Sequence, residues 1–174
     1  MPEVIKEVHL KERAFLAMIL SAVEVYKQET LGLLLGYKGK DIFVVEYAIP
    51  YQTAVKGYSW VSPKSRASER MAEILKSMTI DVIGDFHSHT QWGDFKGEPI
   101  PSGEDIGDME LGKVYLIVAV NDKEKDEPWH HKEDGTIVGT LGDYALEIGA
   151  HIMVSNYKSK PVKLICPSAT GLSR

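Results

Sequence analysis

Three groups of polar residues in this sequence have the types and spacing that metal-dependent hydrolysis requires. Glu29 stands at the start of an apolar run, His87 and His89 end another with one residue between them, and Ser102 and Asp105 follow a loop. In an extended strand, side chains at positions i and i+2 lie on the same face. His87 and His89 can therefore direct both imidazoles to one point.

These residue types predict a zinc site. Two neutral imidazoles and a carboxylate, from His87, His89 and Asp105, leave a tetrahedral zinc ion with a fourth position for water, which is the catalytic arrangement. The metal brings the pKa of that water to about 7. The reaction then needs a base and a hydrogen-bond donor for the oxyanion, and Glu29 and Ser102 are of the right types. We expect one Zn²⁺ per chain.

The segments around these residues resemble the JAMM metalloproteases, the catalytic class of MPN domains. Residues 29–36, 84–89 and 102–105 follow the family's order of glutamate, HxH and SxxD, and the resemblance covers about residues 1–120. It implies that the two histidines and the aspartate bind zinc with a water. It also implies that the glutamate acts as acid and base through that water, and that the serine stabilises the tetrahedral intermediate.

The resemblance further implies an MPN (JAB1/MPN, cytidine-deaminase-like) fold. This is an α/β single domain in which a mixed β-sheet is flanked by helices, and strands and helices alternate along the chain accordingly. We expect the catalytic domain to span residues 1–166 and residues 167–174 to be a flexible tail. Residues 144–154 fit either a strand or a helix. Helices are predicted at residues 12–28, 62–78 and 102–111, and strands at residues 2–10, 30–37, 41–49, 81–89, 114–120, 136–141 and 162–166.

The sequence departs from the family pattern in two ways between His89 and Asp105. Thr90 follows the second histidine, where the family usually has proline, and fifteen residues separate His89 from Asp105, more than is usual. The additional residues fall within 91–98 and include Asp94, a second carboxylate that follows the histidines. We predict that Asp105 is the third ligand, with Asp94 as the alternative.

The inserted residues 91–98 also carry two aromatic side chains, Trp92 and Phe95. Gly93 and Gly97 flank Phe95 and give the backbone freedom to move. Two interpretations remain open. Trp92 and Phe95 can fold inward as anchors of the loop, or they can line or gate the path of a substrate beside the metal.

Some of these residues have a purely structural interpretation. Ser102 and Asp105 have the spacing of a helix-capping box, which is compatible with the metal role. The pair His130-His131 lies in the charged segment 121–135, which we expect to be a solvated surface excursion. We expect His9, His151 and Cys166 to have structural roles.

Composition excludes several classes of partner. The net charge is −5 and no block of Lys or Arg forms the basic stripe of a nucleic-acid-binding protein. No apolar run approaches the roughly 20 residues that cross a bilayer, and the N-terminus lacks the apolar core of a signal peptide. A single cysteine favours a reducing compartment, so we expect the protein in the cytoplasm.

By family analogy, the predicted function is zinc-dependent hydrolysis of the isopeptide or peptide bond that follows the C-terminal tail of a ubiquitin-like protein. The partner would be that ubiquitin-like protein or its conjugate, as for a deubiquitinase. The alternative is a non-catalytic MPN scaffold or binding module, a class that typically lacks one or more motif residues. A DNA-repair-associated JAMM domain is disfavoured because the chain has no basic patch.

Overall fold

β-Strands make up most of the regular structure. A computed structural model describes residues 4–53, 55–56, 61–62 and 65–172. The helices are α1 (Glu12–Glu24), α2 (Ser65–Leu75) and α3 (Gly103–Asp108), with a 3-10 helix at Pro167–Leu172. The strands are β1 (Glu7–Leu10), β2 (Leu31–Lys38), β3 (Ile42–Pro50), β4 (Val55–Lys56), β5 (Val61–Ser62), β6 (Asp81–Thr90), β7 (Val114–Asp122), β8 (His130–His131), β9 (Ile137–Leu141), β10 (Tyr144–Ser155) and β11 (Lys158–Ile165).

The large sheet is mixed, as predicted, and its strand pairing closes on itself. The strands run in the order β11-β1-β3-β2-β6-β7-β10-β9-β8, and β10 pairs with β11 as well. The first half of β10 pairs with β9 and its second half with β11, which completes a ring. A sheet flanked by helices was expected from the sequence, and this closure was not predicted. Strand periodicity reports which face is buried, but it carries no information about which strands become neighbours.

Helix α1 packs its apolar stripe against β3 and the core, as its periodicity predicts. Phe15, Met18 and Ile19 are buried, whereas Leu20, which the sequence analysis placed in the stripe, is 64% exposed. The ring of Phe15 meets the edge of Trp129, with centroids 5.2 Å apart at an angle of 87°. Trp129 is 3% exposed, so the charged segment 121–135 returns to the core and is not wholly a surface excursion.

The segment 144–154, which the sequence left undecided, belongs to the long strand β10. Its Ala, Leu and Glu residues favour a helix by local propensity. However, β10 pairs with β7 from Tyr144 to Ile152. Cross-strand packing on a half-buried surface commonly overrides weak local preference, and here it does so along a whole strand.

The C-terminal end and the second helix differ from expectation. Residues 167–172 were expected to be a flexible tail, but they form a 3-10 helix whose Ala169 is fully buried in the core. The predicted helix start at Ser62-Pro63 is wrong for Ser62, which lies in β5, while Pro63 lies outside the described residues. In the part of the chain that the structure describes, no helix is both long and apolar enough to cross a membrane.

The burial of Trp129 leads to a stability prediction. Trp129→Ala should lower the free energy of unfolding by about 3–5 kcal/mol, because it removes a large ring from a packed core. Trp92→Ala is the matched control: Trp92 is 70% exposed, and the change should stay within about 0.5 kcal/mol. Denaturant melts of both variants measure the difference. Equal losses would contradict the placement of Trp129.

Candidate metal centre and active site

The carboxyl end of β6 carries both histidines of the HxH segment. β6 lies between antiparallel β2 and parallel β7, so that His87 is opposite Leu31 on one side and Ile117 on the other. Both imidazoles lie on one face of the strand, and their Nε2 atoms are 3.0 Å apart. The central position of β6 therefore fixes the backbone that presents both side chains.

Asp105 reaches the histidines from the first turn of α3. Its Oδ2 atom lies 3.3 Å from the Nε2 atom of His87 and 3.3 Å from that of His89. The same helix turn is a capping box, in which the amide of Asp105 donates to Ser102 Oγ at 3.2 Å and the amide of Ser102 donates to Asp105 Oδ2 at 2.7 Å. The capping and metal interpretations are therefore compatible, because the cap holds the carboxylate beside the histidines.

The three ligand atoms have the spacing that a tetrahedral metal requires. Bonds of about 2.0–2.1 Å to zinc place neighbouring ligand atoms about 3.3 Å apart. The observed separations among His87 Nε2, His89 Nε2 and Asp105 Oδ2 are 3.0, 3.3 and 3.3 Å. Within the described part of the chain these three residues are the group that can hold a metal ion. The donor set and its geometry fit a zinc ion with one position left open.

A hydrogen bond behind His89 sets which of its nitrogens faces the site. Nδ1 of His89 lies 2.8 Å from the carbonyl oxygen of Glu98. Because a carbonyl can only accept, Nδ1 must carry a proton, and the lone pair of the neutral ring is then on Nε2. Metal-binding histidines are commonly oriented by this kind of contact.

The electrostatics of the cluster favour an ionised Asp105 carboxylate beside a protonated His89. Burial opposes ionisation of Asp105, but hydrogen bonds from His87 and His89 lower its pKa overall. For His89, burial lowers the pKa, and the contacts with Asp105 and with the Glu98 carbonyl outweigh it and raise the pKa. A metal must displace the proton that these contacts favour, so binding of a cation should release protons.

Glu29 lies two residues before β2 and is held against the histidine strand. It is 8% exposed, and this burial raises its pKa to about 7, with His89 opposing the rise and Asp105 adding to it. The neighbouring Thr30 donates its amide to Ser88 Oγ at 2.9 Å and accepts from the Ser88 amide at 3.0 Å. Ser88 thus ties the backbone beside Glu29 to the strand that presents the ligands.

A further carboxylate, Asp85, belongs to the surroundings of the site. It precedes His87 by two residues and lies on the same face of β6. Burial raises the pKa of Asp85 to about 7, and the negative charges of Asp105, Asp108 and Glu110 add to the rise. This concentration of carboxylates gives the site a negative potential, which favours a cation.

The first half of the insertion forms a tight turn. The amides of Trp92 and Phe95 donate to each other's carbonyl oxygens at 2.8 and 3.0 Å, and Gly93 takes a φ of +57°. Trp92 and Phe95 are 70% and 79% exposed. The interpretation of these rings as inward-folding anchors is therefore wrong, and a contact with substrate stays a prediction.

The other candidate ligands lie apart from the cluster. Asp94 is an exposed residue of the turn between Trp92 and Phe95. His130 and His131 form the short strand β8, where His130 Nδ1 donates to the Pro128 carbonyl at 2.8 Å. Asp105 is thus the carboxylate that the structure places beside both histidines.

The chain is similar to known proteins in sequence and in fold. Residues 11–132 match the family described as prokaryotic homologs of the JAB domain, which is the class of domain that this fold and cluster define. The chain belongs to that family. The solution structure of protein DSY2949 from Desulfitobacterium hafniense superposes with a TM-score of 0.62 at 18% sequence identity, covering 91% of this chain and 92% of that one. No curated protein sequence matches the chain.

Three residues that hydrogen-bond the segments around the site were not predicted to do so from the sequence. Ser88 contacts Thr30, Asn121 contacts Gly97, and His151 contacts a loop carbonyl. Ser88 had a usable signal, because a polar side chain on the opposite face of a buried strand must find a partner. For Asn121 and His151, nothing in the sequence indicated that their strands meet residues 97–99 of the loop.

The geometry predicts how substitutions affect metal content. His87→Ala, His89→Ala and Asp105→Asn should each remove most bound zinc, because each leaves an incomplete ligand set. Asp94→Asn is the matched control and should retain it. Elemental analysis of protein kept away from chelators measures the zinc per chain. Full zinc in both histidine variants would place the site elsewhere.

Proposed function

We propose that this protein is a JAMM-type zinc metalloprotease that hydrolyses the isopeptide or peptide bond after the C-terminal tail of a ubiquitin-like protein. The observation that carries the proposal is the convergence of His87, His89 and Asp105 beside Glu29 in a member of the JAB family. The substrate class rests on family analogy, which by itself carries less weight than the site chemistry.

Each residue of the cluster has a distinct task in this reaction. His87, His89 and Asp105 would hold the zinc ion, which polarises the scissile carbonyl and makes a water nucleophilic near pH 7. Glu29 accepts the proton of the attacking water and passes it to the leaving amine. Burial suits Glu29 to both steps, because a carboxyl with a pKa of about 7 exchanges a proton readily at neutral pH.

Ser102 is suited to stabilise the developing oxyanion. Its Oγ atom accepts the amide hydrogen of Asp105, so the hydroxyl hydrogen remains available to donate. The capping box fixes Ser102 on the turn that carries Asp105, which places the donor on the same rigid element as a metal ligand. A preorganised donor of this kind contributes about 2.7–4 kcal/mol to the transition state in well-studied cases.

A catalytic role is favoured over the alternative of a non-catalytic scaffold. MPN scaffold modules typically lack one or more motif residues, whereas here the cluster is complete and its second carboxylate, Glu29, has a pKa raised towards neutrality. Perturbed carboxyl groups beside a potential metal site are typical of catalysis. The single Cys166 is buried and free of disulfides, which suits action in a reducing cytoplasm.

Cleavage of ubiquitin-like fusions tests the proposal directly. The protein should cleave linear fusions or isopeptide conjugates after the ubiquitin-like tail, a chelator should abolish the cleavage, and added zinc should restore it. Glu29→Gln should keep zinc and fold but slow turnover by about 10²–10⁴-fold, because an amide cannot take up the proton.

Glu73→Gln, a change to an exposed glutamate of α2, is the matched control and should leave turnover unchanged. A Glu29→Gln variant with near-normal turnover would assign the base to another group. A zinc-loaded protein that cleaves none of these conjugates would favour the scaffold function.

We further propose that Trp92 and Phe95 contact the substrate. Aromatic rings offer a large contact area at low entropic cost, and both rings are exposed on the loop that connects His89 to Asp105. The double change Trp92→Ala with Phe95→Ala should raise KM or lower kcat, while zinc content and Tm stay nearly unchanged. Steady-state kinetics with a ubiquitin-like fusion measure the effect.

Tyr37→Ala provides the control for this pair. Tyr37 is also an exposed aromatic residue, at 50% exposure, but it lies near the opposite end of β2 from the site. It should leave KM and kcat unchanged. Normal kinetics in the double variant of Trp92 and Phe95 would exclude a substrate role for the turn.

A further inference from the structure

His151 of β10 makes a buried contact with the loop that leads to α3. It is 6% exposed, and its Nε2 atom lies 2.8 Å from the carbonyl oxygen of Pro99. Because the carbonyl only accepts, Nε2 must be the donor. Burial lowers the pKa of His151 by more than the hydrogen bond to Pro99 raises it, and the nearby His87 and His89 lower it further, so the ring is a neutral donor at pH 7.

The loop lies directly on the strand at this point. A side chain at Gly149 would place its Cβ 2.5 Å from the Pro99 carbonyl oxygen, so only glycine permits the approach that the hydrogen bond of His151 needs. Gly97, two residues before Pro99, exchanges hydrogen bonds with the side chain of Asn121 at 2.7 and 3.0 Å. Residues 97–99, which form the base of the loop, are therefore fixed to β10 and to the end of β7.

Little freedom remains between this anchorage and the metal ligand. Proline fixes φ at Pro99 and Pro101, and a following proline restricts Ile100 to extended conformations. The next residue is Ser102, the N-cap whose reciprocal hydrogen bonds with Asp105 begin α3. The position of Pro99 is thus transmitted to Asp105 through a short and stiff segment.

We propose that His151 is a positioning residue, which sets the start of α3 through Pro99 and thereby brings Asp105 to the two histidines. The inference rests on the proposed metal site and extends it to β10. Groups that orient metal ligands typically change metal affinity by about 10–100-fold when they are removed. His151 acts through the loop and does not touch the metal.

Three variants separate this role from simple packing. His151→Phe keeps the bulk of the ring and removes the donor, and it should weaken zinc binding by about 10–100-fold in a chelator competition. His151→Gln keeps a donor amide and should restore most of the affinity. His9→Ala, at a half-buried histidine of β1 that contacts Glu7, is the control and should bind zinc normally.

Hydrogen exchange of the metal-free protein gives a second measurement that needs neither zinc nor activity. Peptides spanning residues 97–105 should exchange faster in His151→Phe than in the unmodified protein, and His151→Gln should be close to normal. Unchanged zinc affinity and unchanged exchange in a folded His151→Phe protein would overturn the proposal, as would an exchange increase spread evenly over all strands. If the unmodified protein binds no zinc, the metal site itself fails, and exchange at residues 97–105 still decides the role of His151.

Discussion

The arrangement of the site depends on the pairing of β6 with β2 on one side and with β7 on the other. This pairing holds His87 and His89 at the end of a central strand, with their side chains on one face. Ser88, between them, points to the opposite face and binds the backbone of Thr30, next to Glu29. A shift of one residue in the register would reverse all of these directions. The same strand register therefore positions both the candidate metal ligands and Glu29, the proposed general base.

Three carboxyl groups, those of Glu29, Asp85 and Asp105, lie close together at the site. Burial raises the pKa values of Glu29 and Asp85 to about 7 each, while Asp105 stays ionised because it faces two histidines. A divalent cation offsets these charges more strongly than protons on the imidazoles can. Its binding should therefore stabilise the folded protein in proportion to its affinity.

The candidate ligand residues could be predicted to lie together from the sequence because their spacing is local, whereas their surroundings are set by long-range pairing. The spacing of His87 and His89 follows from strand geometry, and that of Ser102 and Asp105 follows from helix capping. The ring closure depends on the pairing of β1 with β11, which joins Glu7 to Lys163 from opposite ends of the chain. The contact of His151 with Pro99 joins residues 52 positions apart. The burial of Trp129 was not predicted for a related reason. The charged residues around it indicate a solvated segment, whereas its ring packs against Phe15 of α1.

The insertion lengthens the connection between His89 and Asp105 without loosening the site. Additional loop residues add only a fraction of a kcal/mol to the entropy of closure, but they remove the positional control that a short connection provides. In this chain that control comes from hydrogen bonds at the base of the loop and from the two prolines that follow. The two glycines, which suggested backbone mobility in the sequence, have other roles. Gly93 takes the positive φ of the turn. Gly97 packs against the His89 carbonyl, where a Cβ would lie 2.5 Å from the oxygen. Under the proposed function, the exposed turn would then recognise a substrate as a preformed surface, with little ordering cost on binding.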